Sequence, residues 1–177
     1  MLGRALILAG AAAALAAAAP AAAPGHEAEV GRAIFDLCPK VLDGSLRLDD
    51  PAALAAIGYG ATPPRQTPSG PIPRATRGAG AEMVVLSGQM ETDGGGCATW
   101  FGGPDNKRLF KAMRKRALKS AFQGSGRPAK LGDGTDIYSY RAVGMPRRTL
   151  VFIAGAAGDG VGGGPTTTAV MMDTKSE

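Results

Sequence analysis

Histidine and cysteine are scarce in this sequence, and their scarcity excludes several kinds of active site. Among 177 residues there is one histidine, His26, and there are two cysteines, Cys38 and Cys97. A Ser-His-Asp or Cys-His site needs a histidine base, and His26 lies next to an apolar leader near the start of the chain. Two cysteines and this one histidine are also a poor ligand set for zinc. We therefore expect neither histidine-dependent catalysis nor a metal site.

Long apolar runs are absent except at the beginning of the chain. Arg4 is followed by residues 5–19, which are all apolar or glycine, and then by small residues and prolines. This order is typical of a secretory signal peptide with an A-x-A-like cleavage site. A membrane anchor is the alternative, but a span needs about 20 strongly apolar residues, and this run is shorter and rich in alanine. We predict that residues 1–25 are a signal peptide, that the protein is periplasmic or secreted, and that the mature chain has no transmembrane segment.

Aromatic residues make up only 5% of the sequence, whereas there are 27 glycines and 13 prolines. The core must therefore consist largely of Ala, Val, Leu, Ile and Met. Residues 26–177 number about 150, which suits a single domain. Loss of Arg4 with the leader lowers the net charge from +5 to +4, and this basic balance favours anionic partners. Export makes nucleic acid an unsuitable partner and leaves anionic lipids, envelope polymers and acidic proteins.

The two cysteines predict one intramolecular disulfide between Cys38 and Cys97. Exported proteins with two cysteines most simply pair them, because their compartment is oxidising. The loop that this bridge closes has about 60 residues, for which the chain-entropy account gives roughly 4 kcal/mol of stabilisation. A redox pair is one alternative, but the sequence has no Cys-x-x-Cys motif. A bridge between two chains is the other.

Apolar periodicity predicts an α+β fold with three helices and about five strands. The helices are expected over 27–42, over 52–57, and from Asp105 to about Phe122; the strands over 82–90, 97–101, 135–143, 150–154 and 166–172. In the resulting order, α-α-β-β-α-β-β-β, short links join the strands, which favours a mainly antiparallel sheet with helices on one face. Residues 59–80 combine five prolines with three arginines, and we predict a loop there.

The predicted third helix is strongly basic and contains no carboxylate between Lys107 and Lys119. A solvated outer face is one interpretation. However, like charges three and four residues apart repel, whereas mixed charges would stabilise the helix. An anionic surface would compensate for that cost, so we predict contact with an anionic envelope polymer or lipid surface. The candidate binding residues are Lys107, Arg108, Lys111, Arg114, Lys115 and Lys119.

The remaining motifs give weak functional signals. Residues 158–163 match the glycine spacing of a dinucleotide-binding loop, but a strand-like threonine run follows instead of a helix, so we expect no cofactor. Trp100 could stack on a ligand, although packing beside a disulfide is the more usual role of such a residue. A carboxylate pair could hydrolyse sugars, with Glu91, Asp93 and Asp133 as candidates. An inhibitor or chaperone-like module is a third alternative to the non-catalytic envelope-binding protein that we expect.

A resemblance to known proteins rests on three features, which are the leader, residues 35–38 in the first helix and residues 96–100 in a strand. In these features the chain resembles small exported two-cysteine α+β proteins of Gram-negative bacteria that have no assigned activity. The resemblance spans most of the mature chain and implies a periplasmic domain with one disulfide. It carries no catalytic residue to this sequence.

Overall fold

The architecture is built on one antiparallel sheet. The computed structural model describes residues 25–89, 95–124, 127–155 and 167–173. Within these ranges nine strands pair, all of them antiparallel, in the order β1-β2-β3-β4-β9-β8-β7-β5, and β6 pairs with β7. The strands are β1 (Gly60–Thr67), β2 (Gly70–Arg77), β3 (Val84–Gln89), β4 (Gly96–Phe101), β5 (Phe122–Gln123), β6 (Ala129–Lys130), β7 (Asp136–Ala142), β8 (Met145–Ile153) and β9 (Thr167–Asp173).

The helices lie between these strands and before them. They are α1 (His26–Arg32), a π-helical segment (Ala33–Leu37), α2 (Cys38–Leu42), α3 (Pro51–Ala56), a 3-10 turn (Gly80–Glu82) and α4 (Asn106–Lys119). The α+β class and the mainly antiparallel sheet are confirmed. The expected five strands and the order α-α-β-β-α-β-β-β are wrong, because the sheet includes β1, β2 and the two-residue strands β5 and β6.

The first helical stretch runs through a proline. Pro39 has no N–H to donate and its ring crowds the carbonyl one turn earlier, so it disrupts a regular α-helix. Here the helix widens into the π-helical segment just before Pro39 and continues to Leu42. The proline therefore changes the winding of the helix and does not end it.

The predicted loop over 59–80 is wrong, since β1 and β2 form a hairpin there. Pro63 and Pro64 coincide with the register shift between Thr62 and Arg65, and β1 is an edge strand, which is where prolines are tolerated. Pro68 lies in the two-residue turn between Thr67 and Gly70. Proline content favoured a loop, but Pro63, Pro64 and Pro68 lie at the edge strand or in the turn, and Pro71 and Pro73 precede Arg74, where the pairing of β2 with β3 begins.

The main core lies between the helices and one face of the sheet. Its fully buried side chains include Leu86, Phe101, Leu150 and Phe152 from the strands and Ile34 from the π-helical segment. A second buried cluster lies on the opposite face, where Trp100 packs with its neighbours Val85, Ala98 and Val170. Trp100 is 8% exposed, so it serves packing as expected, but in a different cluster from the disulfide, because Cys38 and Cys97 belong to the main core on the other face.

The disulfide joins the helical layer to the middle of the sheet. Cys38 and Cys97 are bonded, with their Cα atoms 5.4 Å apart, which confirms the predicted bridge. Both residues are buried, and the Cys38 sulfur lies 3.4 Å from the hydroxyl of Thr99. The bridge thus fixes α2 on β4, and β4 supports the strand pairs on either side of it.

Candidate functional site

Helix α4 lies with its apolar side on the sheet, as predicted. Leu109, Met113 and Ala117 are buried, and they recur every four residues along one face. Phe110 extends this contact, because its ring packs edge-on against Tyr138 at 5.5 Å and against Phe152 at 6.2 Å. This packing turns the opposite side of the helix, which contains most of the predicted binding residues, towards solvent.

Arg114 differs from the other predicted binding residues, since it is half-buried between the helix and the sheet. Its Nε donates a hydrogen bond to the Tyr140 hydroxyl at 2.9 Å. Its guanidinium carbon lies 3.3 Å from the centre of the Tyr138 ring and 5.4 Å from that of Phe110. A guanidinium over an aromatic face is attracted by the ring quadrupole. Arg114 therefore fastens α4 to β7, a role that sequence spacing did not indicate.

Arg108 and Arg116 lie on the side of α4 that faces α1. The Arg108 guanidinium is ion-paired with Glu27 of α1 and lies 3.4 Å from the Asp105 carboxylate. The hydrogen bond to Glu27 raises the pKa of Arg108 above its usual value. Arg116 extends over the Phe35 ring at 5.0 Å and covers Gly31, where an added Cβ would lie 2.2 Å from its Nη1. Both arginines thus contribute to the α1–α4 contact.

The four lysines of α4 form a separate surface, which we call the lysine stripe. All four side chains are exposed, and none belongs to an ion pair among the described residues. Their spacing of four residues places them about 6 Å apart along the helix axis. The stripe consists of Lys107, Lys111, Lys115 and Lys119.

The lysine stripe is electrostatically unfavourable for an isolated helix. Each lysine has a like charge one turn away, and i,i+4 repulsion costs roughly 0.2–0.5 kcal/mol per pair. Lys107 also lies in the first turn, where the helix dipole disfavours a cation, whereas Lys119 is favourably placed at the other end. The stripe is therefore a concentrated positive charge with no acidic partner among the described residues.

A buried ionic cluster, which the sequence did not indicate, lies beneath α1. Glu29 is 4% exposed and accepts hydrogen bonds from Arg32 at 3.0 and 3.2 Å and from the Tyr59 hydroxyl at 2.8 Å. Arg77 lies 3.4 Å from the same carboxylate. Both guanidiniums also donate to the carbonyl of Ile57, at 2.7 and 3.2 Å. We call this group the Glu29 cluster.

The geometry of the Glu29 cluster is that of a structural tie. Its carboxylate is enclosed by three donor side chains, so it offers no open face to a substrate proton or a reacting carbon. Burial, followed by the hydrogen bond to Glu29, raises the pKa of Tyr59 well above its usual value, so this hydroxyl stays protonated and keeps donating. The cluster joins α1 to the end of α3 and to β2.

Two open clefts accompany these features. A cleft of about 540 Å³ lies between α1 and α4; its lining contains one carboxylate, that of Glu27, which is paired with Arg108. A cleft of about 490 Å³ is lined by Gln123, Gly124, Ser139, Arg141 and Thr149 and contains no carboxylate. Neither cleft therefore supplies the pair of facing acids that glycoside hydrolysis requires.

Of the three residues suggested for hydrolysis, Asp133 alone lies in the described part of the chain. Asp133 is exposed, and its carboxylate accepts the backbone N–H of Thr135 at 2.9 Å. That hydrogen bond lowers the pKa of Asp133 below its usual value, as in a turn. Glu91 and Asp93 lie outside the described residues, as do residues 1–24 of the leader and the glycines of 158–163. Among the described residues no cluster of three or more metal-ligating side chains occurs.

His26 is the first residue of α1 and has a structural contact. Its Nε2 lies 2.9 Å from the carbonyl oxygen of Gly102, which connects the start of the helix to the end of β4.

In the described part of the chain, no helix is long and apolar enough to span a bilayer. Neither a protein-family model, nor a curated protein, nor a solved structure matches this chain.

Proposed function

We propose that this chain is an exported, non-catalytic protein that binds an anionic component of the cell envelope through the lysine stripe of α4. The observation that carries the proposal is the stripe itself, four exposed cations one turn apart with no acidic partner among the described residues. A solvent-facing helix usually mixes charges, because mixed pairs stabilise it. A row of like charges is compensated when an anionic surface lies against it.

The arginines and the lysines of α4 differ in their contacts, and this difference supports the proposal. Arg108, Arg114 and Arg116 all contact carboxylates or aromatic rings of the same molecule. Arginine suits such contacts because its planar fork stacks and forms several hydrogen bonds, whereas lysine is a mobile point charge on a long stem. The lysines are thus the cations of α4 that suit an anionic partner without a fixed geometry.

Export is supported by the bridge between Cys38 and Cys97. Stable disulfides form in oxidising compartments and are rare in the cytosol of most organisms. In those compartments the abundant anions are lipid phosphates and acidic polymers of the envelope. The two clefts described above favour a hydrolase less, because neither contains two facing carboxylates.

The test is co-sedimentation of the purified, disulfide-bonded protein with isolated bacterial envelope fragments at low ionic strength. A variant lacking three charges of the stripe should bind at least about tenfold more weakly, because each cation near an anionic surface contributes about 1 kcal/mol. Binding of the unaltered protein should also weaken steeply between low and moderate salt. The variant replaces Lys111, Lys115 and Lys119 with Gln.

A charge-matched control removes three exposed cations from elsewhere on the molecule. It replaces Lys40, Arg47 and Lys130 with Gln, so that the net charge falls by the same amount. This control should bind within about twofold of the unaltered protein, since local charge density sets surface attraction. An equal loss of binding in both variants would show that net charge, and not the lysine stripe, sets the binding. No binding by the unaltered protein would refute the proposed function. Arg114 is left intact in both, because its removal would disturb the helix–sheet contact.

A further inference from the structure

Exposed apolar side chains concentrate at the end of α4. Four large apolar residues of the described chain are strongly exposed: Leu118 at 49%, Leu131 at 41%, Val143 at 51% and Met145 at 47%. Single exposed apolar residues are ordinary, whereas a group of them marks an interaction surface. Three of these four lie at one end of the molecule, and Leu131 lies in the turn between β6 and β7, at the far end of β7.

The backbone brings those three together. Val143 and Gly144 form the two-residue turn between the paired residues Ala142 and Met145. The N–H of Val143 donates to the carbonyl of Ala121 at 2.6 Å, and β5 pairs with β7 beside it. Leu118 lies in the last turn of α4, three residues before Ala121. We call Leu118, Val143 and Met145 the apolar tip.

The chain segments that carry the apolar tip contain cations and no carboxylates. From 106 to 123, and again from 137 to 153, the sequence has no acidic residue. Lys119 ends the lysine stripe one residue after Leu118, and Arg141 and Arg147 are exposed on the strands that flank the β7–β8 turn. The segments that carry the apolar tip therefore also carry exposed cations, at the end of α4 where the stripe terminates.

Resting on the proposed function, we propose that the anionic component is the surface of a lipid bilayer and that the apolar tip enters its headgroup region. A peripheral protein on an anionic bilayer uses two contributions, cations against the phosphates and apolar side chains in the interface below them. The lysine stripe and the apolar tip supply both within one end of the molecule. A hydrated acidic polymer would bind the lysines but has no apolar region into which the apolar tip could insert.

A tryptophan placed in the tip tests insertion directly. Met145→Trp should shift its emission to the blue when vesicles of phosphatidylglycerol and phosphatidylethanolamine are added, and brominated acyl chains should quench it. The native Trp100 is 8% exposed, so its constant signal can be subtracted with the unaltered protein. The matched control is Leu131→Trp, a similarly exposed position away from the tip, which should show neither effect.

A second measurement removes the apolar contribution and keeps every charge. The double variant Val143→Ser and Met145→Ser should bind the same vesicles roughly tenfold more weakly, in line with the area that half-exposed side chains can still bury. Leu131→Ser should leave binding unchanged, and near-ultraviolet circular dichroism of all variants should match that of the unaltered protein. Phosphatidylcholine vesicles, which lack net charge, should bind none of them strongly.

The outcomes separate this inference from the proposed function. The inference fails if lysine-dependent vesicle binding persists while Met145→Trp shows no blue shift, because the protein then rests on the charges alone. It also fails if the protein does not bind vesicles but is retained by an immobilised anionic polymer such as dextran sulfate. In both cases the proposed function survives. If the protein binds neither vesicles, polymer nor envelope fragments, both proposals fail.

Discussion

The Glu29 cluster and the lysine stripe are two groups of charge that the same chain treats in opposite ways. In the cluster, one carboxylate is enclosed by two arginines and a tyrosine, and each donor is within hydrogen-bonding or ion-pair distance. In the stripe, four cations stand in solvent with no described acidic partner. Buried charge must be compensated within the molecule, because desolvation is costly. Exposed charge need not be, so its arrangement is free to serve an external partner.

Replacing Glu29 with Ala should give the largest effect. The change leaves two half-buried guanidiniums and the Tyr59 hydroxyl without their common acceptor, and breaking a buried pair from one side costs about 3 kcal/mol or more. That is a large share of a domain's usual free energy of unfolding, about 5–15 kcal/mol. Urea unfolding at neutral pH, followed by circular dichroism, measures the loss.

Glu27→Ala is the control for this prediction, since Glu27 lies on the same helix and also pairs with an arginine. That pair is exposed, and exposed ion pairs contribute little because water screens them. We expect the midpoint of unfolding to move far less than for Glu29→Ala. If the two variants proved equally stable, the distinction between compensated buried charge and free surface charge would not hold for this protein.

The sequence predicted a basic helix whose candidate residues included the four lysines together with Arg108 and Arg114, and it missed the Glu29 cluster, for a physical reason. The stripe is local, because helical spacing alone places residues four apart on one face. The cluster joins Glu29 to Tyr59 and Arg77, which lie 30 and 48 positions away along the chain, so only the folded topology brings them together. Glu29 also stands beside the apolar Val30 in α1, where a carboxylate resembles an ordinary surface residue.

The fold shows the same division between local and distant information. Strands β3, β4, β7 and β9 were predicted to within about two residues, because alternation and turn residues are local signals. The hairpin of β1 and β2 was predicted as a loop, since prolines such as Pro63 and Pro64 are tolerated on an edge strand, and edge position is a property of the whole sheet. The disulfide was predictable because two cysteines allow one pairing.

Arg114→Ala distinguishes a partnered cation from an exposed one within a single helix and should have an intermediate effect. The change removes the hydrogen bond to Tyr140 and the contact with the Tyr138 ring, which together should stabilise the fold by about 2 kcal/mol. Lys115→Ala, one residue further along and exposed, should stay within about 0.5 kcal/mol of the unaltered protein. Denaturant unfolding of both variants measures the difference. Equal stability would mean that Arg114 stabilises the fold no more than an exposed lysine does.

Removal of the stripe should have the smallest effect on stability, and its sign is informative. Replacing Lys111, Lys115 and Lys119 with Gln relieves like-charge repulsion, which is worth roughly 0.2–0.5 kcal/mol per i,i+4 pair, while glutamine is about as good a helix former as lysine. We therefore expect unfolding to be unchanged or slightly less favourable at low salt, and the difference to vanish at high salt as screening removes the repulsion. A clear loss of stability would mean that the lysines hold α4 in place, and their exposure would then need no partner to account for it.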